Sequence, residues 1–235
     1  MREGDGREPV GWYTMKVIGI CGSPRGQSSR TKRLVEAVLR GAEELGAETE
    51  FVDLCAMTIL PCTGCETCYA TGSCIHGDDA ADLVASMVAA DGIVLGSPVY
   101  IDHVTAQMKA FLDRLADAIH CQLLTGRYGC SVATTWGSGG EEVVEYLNHV
   151  LRWLGVVTVG DTWVALGRNP ESLQGAENRA VTLGRTLAEA IHTRRKYPGQ
   201  DAEIEENWRE FREIVRENRA SWPYEYAYWQ DRGWL

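Results

Sequence analysis

The segment Lys16-Val-Ile-Gly-Ile-Cys21 constrains this chain more than any other stretch. It is a short apolar run without polar alternation, the pattern of a central parallel strand buried on both faces. A turn rich in glycine and hydroxyls follows, Gly22-Ser-Pro-Arg-Gly-Gln-Ser-Ser-Arg-Thr31. Then comes a helical pattern with Leu34, Val35, Val38, Leu39 and Leu45 on one side. A strand feeding a helix through such a turn makes an anion site, because free backbone N–H groups and the positive helix end converge there. Ser23, Ser28, Ser29 and Thr31 offer hydroxyls, and Arg25 or Arg30 offers charge. No Gly-Lys-Ser/Thr follows and G-x-G-x-x-G is absent, so neither a Walker loop nor a dinucleotide pyrophosphate site is indicated. A hydroxyl-rich helix cap without a ligand is the plainer alternative.

Strand and helix patterns then alternate. Strands are predicted over Thr49–Leu54, Gly92–Gly96, Tyr128–Thr135 and Val156–Leu166. Helices are predicted over Asp78–Ala90, Thr105–Ile119, Glu141–Leu154 and Glu171–Arg195. This alternation describes an α/β doubly wound sheet of five parallel strands, whose ligands sit beyond the strand C-termini at the switch point. Residues 1–14 read as a mobile leader, 15–196 as the main domain and 197–235 as a C-terminal extension. The extension holds a predicted helix, Asp201–Arg219, with Ile204, Trp208, Phe211 and Val215 on one stripe. Six aromatic residues from Trp222 to Trp234 follow it, and so much apolar area requires a packing partner. A neighbouring subunit is the expected one, with the tail helping to wall the ligand site.

Between the second strand and its helix lies Cys62-x2-Cys65-x2-Cys68-x5-Cys74, within a loop spanning residues 61–77. Structural zinc more often uses two separated C-x2-C knuckles, whereas nested C-x2-C-x2-C spacing is the habit of iron–sulfur sites. A [4Fe–4S] cluster held by these four cysteines is the favoured reading, with redox-active thiols and zinc as alternatives. Cys21, Cys55, Cys121 and Cys130 lie in or beside apolar runs and read as buried structural thiols. The net charge of −10 argues against nucleic acid and against an acidic membrane surface. No run approaches the roughly 18 apolar residues of a spanning helix. Eight cysteines, four of them clustered, in an enzyme-sized chain fit a reducing cytoplasm.

Three segments, each following a strand, carry a family likeness: Gly22–Thr31; Gly96-Ser-Pro-Val-Tyr100 with Gln107–Arg114; and Thr134-Thr-Trp-Gly-Ser-Gly-Gly140. Together they resemble the flavodoxin-like NAD(P)H-dependent FMN reductase superfamily, and within it the iron–sulfur flavoproteins. The likeness covers roughly residues 15–165, and the four-cysteine loop stands where those relatives carry their cluster. It implies a sheet of strand order 2-1-3-4-5 and FMN as cofactor. The first loop carries one residue more than in many relatives, so which of Ser28, Ser29 and Arg30 meets the phosphate is left open. Ser97, Pro98, Val99 and Tyr100 are expected along the ribityl chain and ring, with Pro98 stiffening the approach. Thr134, Thr135, Gly137, Gly139 and Gly140 are expected to present donors to the ring's polar edge beside Trp136. His103 is a weak candidate proton donor, and Lys109, Asp113 and Arg114 read as helix-surface or interface ion pairs.

The resemblance implies an oxidoreductase that passes electrons between flavin, cluster and an outside partner. That partner is expected to be NAD(P)H, ferredoxin, a quinone or a reactive oxygen species, and the assembly a homodimer or homotetramer. Two alternatives remain. One is an NAD(P)H-dependent FMN, quinone or azo reductase without a cluster; the other is a zinc-stabilised, non-catalytic flavodoxin-like module.

Overall fold

A computed structural model describes residues 14–167 and 171–235. The expected leader at 1–14 lies outside them except for Thr14. Five parallel strands form one sheet: β1 (Lys16–Cys21), β2 (Glu48–Asp53), β3 (Gly92–Pro98), β4 (Tyr128–Thr135) and β5 (Val157–Ala165), in the order β2-β1-β3-β4-β5. This is the doubly wound, flavodoxin-like arrangement. Every residue of β3 and β4 is buried, and so is all of β1 after Lys16. The edge strands β2 and β5 are only partly covered.

Helices cover both faces. On one face lie α1 (Arg30–Glu43) and α7 (Glu171–Thr193), packed on Val17, Cys21, Val94, Cys130 and Val132. These two helices meet through glycine. A Cβ at Gly41 would stand 2.0 Å from the Val181 carbonyl oxygen, and one at Gly184 would stand 1.9 Å from that of Val38. The other face carries α3 (Ala80–Ala89), α4 (Ala106–Leu112), α5 (Ala116–His120) and α6 (Gly140–Trp153) over Ile18, Ile20, Ile93 and Leu95. A five-residue helix, α2 (Thr67–Thr71), sits inside the cysteine loop. The extension forms α8 (Pro198–Glu217) and α9 (Pro223–Asp231), each opened by proline at a position where no N–H is needed.

Several elements depart from the sequence expectation. The helix predicted over Thr105–Ile119 is two helices. The backbone tightens at Asp113–Leu115, where the Arg114 and Leu115 amides bond three residues back, to Phe111 and Leu112. That break turns Arg114 inward: its side chain is 3% exposed and grips Asp78 at 2.7 Å. Arg114 is therefore not a surface ion-pair partner, whereas Lys109 and Asp113 do pair on the surface. Cys55 is exposed rather than buried, because it sits in a short 3-10 turn after β2, while Cys21, Cys121 and Cys130 are buried as expected. The aromatic tail docks on its own chain: Trp229 is fully buried, and α9 packs on α2 and α8. No described helix is long and apolar enough to cross a membrane.

Candidate flavin site and thiol loop

The turn after β1 is fixed from three sides. The Gly22 amide donates to the Gly96 carbonyl at 2.9 Å, and the Thr105 hydroxyl donates to the Gly22 carbonyl at 2.6 Å. Met108 lies so close that a Cβ on Gly22 would meet its side chain at 2.8 Å. Ser29 caps α1, its hydroxyl accepting from the Lys32 amide at 3.0 Å. The first turn of α1 contains no acidic residue, so nothing there offsets the positive helix end. The Thr31 hydroxyl is buried against that of Thr134 at 2.7 Å, tying the start of α1 to the end of β4.

These ties shape a cavity of about 110 Å3 at the C-terminal ends of β1, β3 and β4. It is lined by Ser23, Arg25, Arg30 and Thr31 from the first loop, Pro98, Val99 and Tyr100 from the second, and Thr134, Thr135, Trp136 and Leu166. β1 sits between β2 and β3, so the cavity opens at the point where the winding reverses, the expected ligand position in such a sheet. Arg25 and Arg30 have no carboxylate partner among the described residues. Two unpaired guanidinium groups, buried hydroxyls and an uncompensated helix N-terminus make one end of the cavity anion-selective. Pro98, Val99, Tyr100, Trp136 and Leu166 make the other end apolar and aromatic. That is the division a flavin monophosphate requires.

Other expected contacts stand back from the wall. The Ser28 hydroxyl turns to the Arg25 carbonyl at 2.9 Å, and Ser29 is committed to its cap. Ser97 is fully buried. Its hydroxyl donates to the Pro98 carbonyl at 2.9 Å and accepts from the Thr105 amide at 3.1 Å. Gly137, Gly139 and Gly140 are not among the lining residues and shape the turn after β4. Gly139 has φ of 80°, and a Cβ at Gly140 would stand 2.4 Å from the Trp163 ring. The His103 ring packs on Tyr146, with centroids 4.5 Å apart, and does not line the cavity. Arg30 was one of two arginines offered by the sequence; Leu166 had no sequence signal, and joins the wall because its amide continues the β4–β5 ladder to Thr135 at 2.8 Å.

Beside the cavity the chain makes a four-residue turn closed by the Tyr100 amide donating to the His103 carbonyl at 2.8 Å. Its central residues, Ile101 and Asp102, both hold left-handed backbone, with φ of 50° and 57°. A β-branched residue in that region is strained, and such strain gathers at ligand sites. Ile101 is 99% exposed and Trp136 69%, so the rim of the cavity is apolar.

All four cysteines of the loop are free thiols: Cys62, Cys65 and Cys74 exposed, Cys68 half-buried. Burial, then Asp117, then Cys74 push the Cys68 thiol up to about 12. Cys65, hydrogen-bonded by Thr67 and Thr63, is held below the ordinary thiol value. Among the described residues, no three His, Cys, Asp or Glu side chains converge on a single ion position. As donors, the four thiols are all sulfur, free of disulfides and carried on one loop, the donor chemistry that iron–sulfur clusters take. The loop's two ends are pinned to the core. Arg114 bridges Asp78 through two nitrogens and donates to the Leu60 carbonyl at 2.8 Å; the Leu60 amide donates back to Asp78 at 2.8 Å and the Thr58 amide to Asp79 at 2.6 Å.

Sheet order and cavity position define the class, a flavodoxin-like α/β protein with its ligand cavity at the switch point. The sequence profile of the NADPH-dependent FMN reductases matches residues 15–171. An iron–sulfur flavoprotein of Archaeoglobus fulgidus is 35% identical over 223 residues, covering 94% of this chain and 100% of the relative. One from Methanocaldococcus jannaschii is 34% identical, covering 75% of this chain and 97% of its own. The fold is shared with a flavodoxin from the Archaea, with a TM-score of 0.51 and 18% identity over 76% of this chain and 99% of that one. The chain belongs to the NADPH-dependent FMN reductase family and, within it, to the iron–sulfur flavoproteins.

Proposed function

We propose that this protein is a two-cofactor electron-transfer oxidoreductase, with FMN in the cavity and a [4Fe–4S] cluster on Cys62, Cys65, Cys68 and Cys74. The observation that carries the reading is one chain holding both a hydroxyl-and-arginine cavity at the strand ends and a loop of four free thiols. When bound, FMN exchanges electrons in pairs or singly and a cubane cluster only singly, so the two together convert between these regimes. Arg25, Arg30, Ser23 and Thr31 would grip the phosphate. Pro98, Val99 and Tyr100 would border the ring on one side and Trp136 on the other. The apolar rim keeps water from the ring, and no side chain acts as a covalent catalyst. NAD(P)H, ferredoxin or a quinone is the outside partner in this reading, and the assembly is a cytoplasmic homodimer or homotetramer whose apolar rim faces a second copy.

The test is iron, sulfide and flavin content after purification without oxygen, with visible spectra before and after dithionite. The expected result is about four irons and one FMN per chain, with bleaching near 400 nm. FMN without iron after reconstitution would overturn the cluster and leave an NAD(P)H-dependent flavin, quinone or azo reductase. A colourless protein containing zinc would overturn both and leave the zinc-stabilised module.

A further inference from the structure

The segment between Cys65 and Cys74 has little structure of its own. Its helix α2 spans five residues, none of them buried. A helix that short has no stability without packing. The packing comes from the other end of the chain, beyond the stretch matched by the family profile.

Three contacts join α9 and its leading residue to this segment. The Trp222 indole N–H donates to the Glu66 carboxylate at 3.3 Å. The Tyr69 ring, next to Cys68, meets Trp222 edge-on with centroids 4.7 Å apart. Tyr224 lies on Gly72, so closely that a Cβ at Gly72 would stand 2.4 Å from its ring. The contacting helix is itself anchored. His120 stacks on Trp222 at 5.1 Å and 18°, with Tyr69 at 4.8 Å on its ring as well. Its Nδ1 lies 3.2 Å from both carboxylate oxygens of Glu225, and its carbonyl accepts from the Trp229 indole N–H at 2.9 Å. Glu225 and Trp229 are fully buried. Buried groups this well partnered hold one arrangement.

We infer that α9 is a clasp for the cysteine loop. Trp222 and Tyr224 are positioning residues that hold Glu66, Tyr69 and Gly72, and through them fix the relation between Cys68 and Cys74. The inference rests on reading the four thiols as the cluster site, although the clasp itself is a property of the folded chain. Its two halves separate experimentally. Amide exchange at 66–72 reports the clasp, and iron retention reports its consequence for the cluster.

The experiment compares the full-length protein, purified without oxygen, with Trp222→Ala/Tyr224→Ala, Trp222→Phe and Gly72→Ala, the last made both alone and with Tyr224→Ala. Hydrogen exchange at 66–72, anaerobic iron release to a chelator, and FMN content are measured on each. The alanine pair is expected to speed both exchange and iron release roughly tenfold, the effect of losing about one good contact's free energy. FMN content stays at the wild-type value, and Trp222→Phe, which keeps the ring but not the Glu66 hydrogen bond, recovers most of the loss. Gly72→Ala is expected to speed exchange in the wild-type background and to add little once Tyr224 is alanine, because the ring is the obstacle; the backbone strain of alanine at Gly72 is common to both backgrounds. Unchanged exchange in the alanine pair overturns the clasp. So does loss of FMN in parallel with iron, which would make α9 a general part of the core. Additive effects of the Gly72 and Tyr224 changes overturn the assigned contact. A wild-type protein without iron overturns the cluster reading alone, and exchange at 66–72 still decides the clasp.

Discussion

The two candidate sites are built in opposite ways. The flavin cavity hangs on strand ends that are wholly buried, and its loops are tied within a few residues of the sheet: Gly22 to Gly96, Val99 to Thr134, Leu166 to Thr135. The thiol loop leaves the sheet at β2 and returns at α3 with three of its four cysteines exposed. Its fastenings include Arg114 and Asp78 at its base and α9 over its middle. A ligand site on central strands inherits the rigidity of the core. A site on an excursion needs its own fasteners, and those come from distant sequence.

The sharpest way to break this difference is at the loop base. Asp78→Ala leaves the Arg114 guanidinium buried without its partner, a loss of about 3 to 5 kcal/mol. Chemical denaturation and iron content should both register it. The same pair sets an acid limit. Hydrogen bonds from Arg114 hold the Asp78 carboxyl down to about 2, from an ordinary 3.8. A lowered carboxyl contributes its stability above its ordinary value and loses it as pH falls through the folded one. Wild type should therefore lose roughly 2 kcal/mol relative to Asp78→Asn between about pH 5 and pH 2. Matching acid profiles for the two proteins would show that the pair does not fasten the loop.

The opposite test strikes the sheet side and spares the loop. Gly184→Ala puts a methyl group against the Val38 carbonyl, backbone that cannot step aside, and should cost about 3 kcal/mol through separation of α1 from α7. FMN binding should fall with global stability, while amide exchange at 66–72 changes only as much as the whole protein does. A smaller strike at the same end is Thr31→Val. It removes one partner of a buried hydroxyl pair and leaves Thr134 unsatisfied, about 1 to 3 kcal/mol, with FMN affinity falling by a similar factor. FMN dissociation followed by flavin fluorescence checks it.

The same contrast explains what could be read from the sequence. β1 and β3 are largely apolar because both their faces are covered, and β1, β3 and β4 each run into a segment that lines the cavity; local composition and local structure agree there. The fasteners of the thiol loop leave no such local mark. Arg114 sits in an otherwise regular helical pattern, and only its partner 36 residues away shows that the helix must break there. Tyr69 and Trp222 lie 153 positions apart, so the tail's aromatic content announced a packing partner but not which one. The turn at Ile101 and Asp102 was invisible for a third reason: left-handed backbone at Ile101 goes against the preference of a β-branched residue.

Trp136 gives the finest test of the comparison. It is 69% exposed and lines the cavity, so it contributes to the site without holding up the fold. Its turn is held by other atoms. The Thr135 hydroxyl donates to the Ser138 carbonyl at 2.5 Å, and the Gly167 amide donates to the Trp136 carbonyl, a bond that any residue at 136 retains. Trp136→Ala should therefore change unfolding free energy by less than about 0.5 kcal/mol. It should still weaken FMN binding by about 1 kcal/mol, near fivefold, through the lost aromatic contact. Paired measurements of denaturation midpoint and FMN dissociation constant decide it. A large drop in stability with unchanged FMN affinity would mean that the indole supports the strand-end turn rather than the flavin. The cavity would then depend on a side-chain fastener, as the thiol loop does, and the contrast between the two sites would be one of degree.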